Sequence, residues 1–242
     1  VGEDGVSARF WVGTSGYNYP EWKGSFYPAT MPAAKMLPFY AERFPTVEIN
    51  YTFYRMPTGK IVDGWSAATP AHFALTLKAP RRITHDARLR DCEDPVRQFL
   101  DVASMLGPKL GALLFQLPPT MKKDLPRFDG FLETLPPRVR AAFEFRHASW
   151  FDDDVYARLR AKNLALCIAD SEKLSTPVEI TSEHAYFRLR DEGYTPDDIA
   201  RWADRIREQT ARCHDVFVYF KHEEEGKGPD FARLLIERLG GS

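Results

Sequence analysis

The chain has 242 residues, 44% of them hydrophobic, and its 33 lysines and arginines against 34 aspartates and glutamates leave a formal net charge of -1. That length and apolar content suffice for a full core and exclude a disordered, collagen-like or disulfide-stapled chain. The balanced charge gives no global support to a strongly basic nucleic-acid binder or a membrane-surface protein, although it leaves room for a local basic patch.

Eight short runs of strand character follow in order: RFWVG (9–13), TVEIN (46–50), FALTLK (73–78), GALLFQL (111–117), AAFEF (141–145), LALCIAD (164–170), AYFRLR (185–190) and DVFVYFK (215–221). Their starts lie roughly 20 to 40 residues apart, the interval of strand-plus-helix units. Most gaps carry a helical period. Asp94 to Leu106 sets Val96, Phe99, Leu100, Ala103 and Leu106 on one face. Thr195, Pro196 and Asp198 open a helix that repeats Ile199, Trp202, Ala203 and Ile206. Pro229 starts the last helix, which carries Phe231, Leu234, Leu235 and Leu239 before Gly240 and Gly241. The pattern predicts a single domain over 1–242, an α/β fold of TIM type, (β/α)8, with a doubly wound open sheet as the competing architecture. The link SEKLSTPVEITSEH between strands six and seven is too short and too weakly periodic for a proper helix, so the barrel is expected to be irregular there.

Polar residues gather at the carboxyl ends of these runs: Glu48 and Asn50, Lys78, Gln116, Glu144 with Arg146 and His147, Asp170, Arg188 with Arg190, and Lys221 with His222. In a barrel all those ends open on one face, where substrates bind. Glu48 and Asn50, Glu144 and Arg146, and Arg188 and Arg190 are each two apart, so each pair shares a side of its strand. If that side is the interior, three carboxylates (Glu48, Glu144, Asp170) meet the cations Lys78, Arg146, Arg188, Arg190 and Lys221. Individual pairs read equally as an ionic plug, because buried charges must be paired. The excess of cations points instead to an anionic partner.

The loop HEEEGKGPDF (222–231) adds a weaker anion signal, Gly226-Lys227-Gly228 before a helix start, with a glycine-rich surface turn as the alternative. His85 and His147 lie just past strand ends, where a general base or ligand would sit, but no compact ligand spacing exists and a divalent metal is the minority reading. His72, His184 and His214 precede strands and belong to the far face. The loop GYNYPEWKGSFYP (16–28), with Trp22 among five aromatics, could stack a sugar or base, or pack as a lid on the rim. Cys92, Cys167 and Cys213 are far apart without CxxC or finger spacing, which fits a reducing cytoplasm. Neither a signal peptide nor an apolar run of about 18 residues is read, so no membrane partner is expected.

GTSGYNYPEWKGSFYP (13–28), VEINYTFYRMP (47–57), KAPRRITH (78–85), LLFQLPP (113–119) and FEFRHASWF (143–151) together resemble the YecE-like family, catalogued as domain of unknown function seventy-two. The resemblance covers nearly the whole chain and implies a TIM-type barrel without a settled activity. Position by position it marks Glu48, Asn50, Thr52, Tyr54, Arg55, Lys78, His85, Gln116, Glu144, Arg146, His147, Trp150, Asp170 and Arg188. Two loops depart from the family pattern. Arg188-Leu189-Arg190-Asp191 stands where many members read Arg-x-His-Gly, and Lys221-His222 stands for an Asn pair; both changes make the mouth more cationic.

These readings favour a hydrolase-like enzyme for a small anionic, phosphate-bearing substrate. Glu48, Glu144, Asp170, Lys78 and His85 are the candidate catalytic residues. Asn50, Tyr54, Arg55, Gln116, Arg146, His147, Trp150, Arg188, Arg190, Lys221 and Trp22 are the candidate binding residues. A metal-dependent nucleic-acid barrel, a glycosidase and a non-catalytic anion carrier remain as alternatives, and the oligomeric state is open.

Overall fold

Strand and helix alternate as expected, and the sheet closes on itself. A computed structural model describes residues 8–171 and 173–240. The strands are β1 (Arg9–Ser15), β2 (Thr46–Ile49), β3 (Ala74–Lys78), β4 (Leu110–Gln116), β5 (Ala141–Glu144), β6 (Ala165–Asp170), β7 (His184–Leu189) and β8 (Asp215–Phe220). Each pairs in parallel with the next, and β8 returns to β1 with Arg9 opposite Asp215 and Thr14 opposite Phe220. Closure removes both sheet edges and rules out the open doubly wound sheet.

The connecting helices are α1 (Ala33–Ala41), α2 (Tyr51–Tyr54), α3 (Gly59–Ala67), α4 (Glu93–Ser104), α5 (Leu125–Leu132), α6 (Asp153–Ala161), α7 (Pro196–Gln209) and α8 (Lys227–Leu239). α7 begins where its sequence demands: the Thr195 hydroxyl accepts from the Asp198 amide, the Asp198 carboxylate accepts from the Thr195 amide, and Pro196 fills the first helical position. Its buried residues Ile199, Ala203 and Ile206 follow the expected period; Trp202 packs partly buried beside them. Among the described residues no helix joins β6 to β7, which bears out the expected irregularity. Residues 1–7, 172, 241 and 242 of the expected single domain lie outside the described residues.

Strand parity sorts the side chains into two cores. Outward-facing Val47, Leu75, Leu113, Phe143, Phe187 and Val218 pack against the helices. Inward-facing Ala74, Ala112, Leu114, Ala142, Ala165 and Cys167 are small or medium-sized, and they leave room for Tyr186, Phe217 and Tyr219 to fill the axis. The floor is polar but paired: Asp215 accepts from Trp11 Nε1 at 2.7 Å and Arg140 at 2.9 Å. One level up, the Tyr219 hydroxyl lies 2.8 Å from Thr46 Oγ1 and 2.7 Å from Thr76 Oγ1, sealing the interior. Polar residues of the next layer therefore have no route to water except through the mouth.

The seam between β1 and β2 depends on the missing side chain of Gly13. A Cβ there would stand 2.1 Å from the Thr46 carbonyl oxygen and 2.8 Å from the Tyr40 hydroxyl, which itself donates to that carbonyl. Gly13→Ala must push β1 from β2, and a loss of about 3 kcal/mol is expected by analogy with overpacked cores. Urea unfolding followed by circular dichroism measures it; an unchanged midpoint would mean the seam yields freely.

Candidate active site

Parity also builds the mouth. Ser15, Glu48, Lys78, Gln116, Glu144 and Arg188 end six different strands on the inward side, and all are buried. Arg188, 1% exposed, is the hub. Its Nε and Nη2 donate to the two Glu48 oxygens at 3.0 and 2.8 Å, the planar fork against a carboxylate, while Nη1 donates to Glu144 Oε2 at 2.6 Å. Glu48 accepts two further bonds, from Ser15 Oγ at 2.6 Å and Tyr186 Oη at 2.5 Å. Gln116 donates to Glu144 Oε2 at 2.9 Å, and Asn50 donates to Ser15 at 2.8 Å.

Burial alone would raise both carboxyl groups, but charge and hydrogen bonding outweigh it. The Arg188 charge with the Ser15 and Tyr186 bonds holds Glu48 below its usual range. Arg188, Arg190 and the Gln116 bond bring Glu144 down to about 2. Glu144 Oε1 differs from the other three carboxylate oxygens of this network: it is buried without a hydrogen-bond donor, with Arg190 at 3.5 Å and Arg146 at 4.0 Å. The Asn50 carbonyl oxygen is likewise buried and unpartnered.

Lys78 is the opposite case. It is 9% exposed, and among the described residues its ammonium has no hydrogen bond or ion pair. Nζ lies 4.1 Å from the centre of the Phe53 ring, and the same ring meets His85 edge-on with centroids 4.9 Å apart. Burial, reinforced by the Arg188 charge, pushes the Lys78 amine down to about 7 despite Glu144 and Glu48. His85 is lowered too, by burial and then by Lys78 and Arg81, and its Nδ1 lies 2.8 Å from Thr84 Oγ1. Arg190 and Arg146 stand half-buried over the hub, and Lys221 reaches the same rim, 3.7 Å from Glu223.

Other sequence candidates fall elsewhere. Asp170 is on the outward parity of β6, since Ala165 and Cys167 take the interior; it accepts from Ser175 and Tyr194 at 2.9 and 2.7 Å and does not join Glu48 and Glu144. Trp150 is wholly buried behind the barrel, stacked on Phe145 and donating to the Met121 carbonyl. Trp22 is 1% exposed and donates to the Glu223 carbonyl, so the aromatic first loop is a packed lid on the rim and not an open stacking platform. Gly226 and Gly228 serve that packing: a Cβ on Gly228 would meet the His222 carbonyl at 2.9 Å, and Gly226 takes a left-handed φ of 79°. Tyr54 and Arg55 point outward into solvent, and His147 caps its own turn by accepting from the Ser149 amide. Ser15, Phe53 and Tyr186 are the mouth residues that the end-of-strand rule overlooked. Tyr186 had a signal, being two residues before Arg188 and so on its side of β7.

Among the described residues no three His, Cys, Asp or Glu side chains gather as a metal site, and no helix is long and apolar enough to cross a membrane. Two cavities flank the hub. One of about 330 Å³ lies between Tyr17, Tyr19, Asn50 and Trp65, and one of about 260 Å³ lies between Arg190, Lys221, His222 and Lys227, where Glu192, Glu223 and Glu224 balance the positive charge.

A parallel eight-stranded barrel with a buried ionic hub at its carboxyl end thus defines the class, a TIM-type barrel with a polar mouth. The chain belongs to the family described as protein of unknown function DUF72, which matches residues 11–242. It is 33% identical over 142 residues to UPF0759 protein YecE of Escherichia coli, covering 58% of this chain and 50% of that protein, so the chain spans about half the length of that curated relative. It is 24% identical to UPF0759 protein YunF of Bacillus subtilis over 89% of this chain and 90% of that one. The crystal structure of a DUF72 family protein from Thermotoga maritima superposes with a TM-score of 0.84 at 24% identity, over 96% of this chain and 99% of that chain. One from Enterococcus faecalis gives 0.79 at 19% identity, over 98% and 100%.

The hub makes acid sensitivity predictable. Glu48 and Glu144 are depressed below the ordinary carboxyl value of 4.5, so their stabilisation is complete above that value and is lost as pH falls toward about 2. Thermal melts should fall steeply across that window. Glu48→Met, which removes the carboxylate from Arg188 Nε and Nη2, is expected to lose about 3 kcal/mol at pH 7, and a melt within a degree of wild type would refute the hub's weight.

Proposed function

We propose that the barrel is an enzyme of hydrolase type that takes a small phosphate-bearing anion at its mouth. The observation that carries this reading is the charge left over after the hub is paired. Arg188 cancels one of the two buried carboxylates, and Arg146 and Arg190 then face a single remaining negative charge. An anion restores the balance, and arginine forks suit phosphate oxygens.

The proton-moving role falls to Lys78 and His85. A carboxyl held at about 2 is too weak a base, and too rarely protonated, to serve near neutrality. Glu48 and Glu144 act instead as counter-ions that hold Arg188, with Glu144 Oε1 left as an acceptor for a substrate hydroxyl or water. Lys78, at about 7, is matched to proton transfer at neutral pH. Three buried, unpaired cysteines agree with a reducing compartment such as the cytoplasm.

Titration calorimetry with inorganic phosphate tests the anion site: Arg146→Gln and Arg190→Gln should each weaken binding about ten-fold, the order of a charge-assisted hydrogen bond. Equal affinity in both variants would place the anion elsewhere. Lys78 supplies a second test. Its folded value lies below the unfolded one of 10.5, so the unfolded chain binds the extra proton between about 7 and that value, and the penalty on the fold is fully present below about 7. Lys78→Met should therefore raise the melting temperature at pH 6 while abolishing turnover of phosphate esters; a lowered melting temperature would show that the ammonium is stabilised where it sits.

A further inference from the structure

We infer that Lys78 is a covalent nucleophile, forming an imine with the carbonyl group of a small oxo acid or oxo phosphate bound at the mouth. The inference rests on the anion-binding half of the proposed function and replaces water, as the attacking group, by the lysine's own nitrogen.

Four features of the site converge on this reading. Lys78 ends β3 on the inward side of the barrel and is buried, so its nitrogen is presented to whatever occupies the mouth. Among the described residues it has no hydrogen bond or ion pair, although carboxylates lie in the same layer; Arg188 has taken both. A structural lysine would be expected to claim one of them. Nζ itself sits 4.1 Å over the centre of the Phe53 ring, which limits where it can point. Finally, its charged neighbours nearly balance, Arg188 and Lys221 against Glu144 and Glu48, so burial decides, and a desolvated lysine keeps a free amine at neutral pH.

The chemistry closes without an external oxidant or reductant. The Nζ lone pair bonds to the carbonyl carbon while the C=O π pair moves to oxygen. The proton released from nitrogen passes to that oxygen, giving a carbinolamine. The hydroxyl takes one more proton and leaves as water as the nitrogen pair forms C=N, and the protonated imine then draws electrons from the adjacent bond. His85, packed on the same Phe53 ring that Lys78 rests on, carries these protons. Arg146 and Arg190 hold the substrate's carboxylate or phosphate beside the reacting carbon.

Reductive trapping tests this on the intact protein. The chain is incubated with pyruvate or with dihydroxyacetone phosphate and sodium cyanoborohydride, whose hydride reduces the imine to a stable secondary amine. Intact mass should rise by one substrate less one water plus two hydrogens, and peptide mapping should place the adduct on Lys78. Lys78 should react about a hundred-fold faster at pH 7 than exposed Lys35, because burial holds the Lys78 amine down to about 7. The rate should rise with pH through a midpoint near 7, and excess inorganic phosphate should suppress it. Lys78→Arg, which keeps a cation at this position, should lose the fast adduct.

Labelling of Lys78 no faster than Lys35 with both probes would overturn the inference. Phosphate calorimetry on the same sample separates the two readings. Phosphate binding without trapping sinks the imine alone, whereas the absence of both removes the anion site as well. A fast adduct that phosphate does not suppress would refute the combined site, because the nucleophile and the anion clamp would then be independent.

Discussion

The mouth is organised by one guanidinium. Arg188 is desolvated at the centre of the barrel's upper layer, and its five donors are planar and cannot be deprotonated near neutrality. Such a group is tolerable only if carboxylates come to it from other strands. Glu48 from β2 and Glu144 from β5 do so, and their remaining valences recruit Ser15, Tyr186 and Gln116 in turn. Five strands are thereby tied at one point, so the geometry of the mouth is set by an electrostatic demand as much as by backbone pairing. A hydrophobic layer of equal volume would serve stability at least as well. The polar hub is therefore best understood as a frame whose rigidity positions the groups around it.

Lys78 is informative because the frame excludes it. In a layer where nearly every oxygen is satisfied, one amine rests on a phenyl ring, and one carboxylate oxygen stays open opposite two arginines. Unspent polarity of this kind costs stability and survives in functional sites. Two of the positions where the loops depart from the resembled family, Arg190 and Lys221, lie on the same rim and add to its positive character. The chemistry of this chain's mouth is thus written partly in residues the family pattern does not supply.

Much of this is legible in the amino-acid sequence. Strand spacing gave the barrel, and the weak period between strands six and seven gave its irregular link. The rule that polar residues at strand ends share a mouth correctly gathered Glu48, Lys78, Gln116, Glu144 and Arg188, because parity and parallel closure leave them no other place. It failed where parity was not applied to neighbours: the alternation Ala165, Cys167 already turned Asp170 outward. It also failed for tryptophans, since a sequence does not tell a ring that stacks on a substrate from one that stacks on Phe145. The pairing itself was beyond reach. Which carboxylate Arg188 would claim, and that Lys78 would be left without one, depends on distances across the barrel axis that no linear spacing encodes.

The layer beneath the hub has its own consequence. Tyr219, with Thr46 and Thr76, stops the axis like a cork, and the Trp11, Asp215 and Arg140 floor closes it a second time. Whatever visits the mouth has a single doorway, so a product must vacate before the next molecule can enter, and the two compete for the same vestibule.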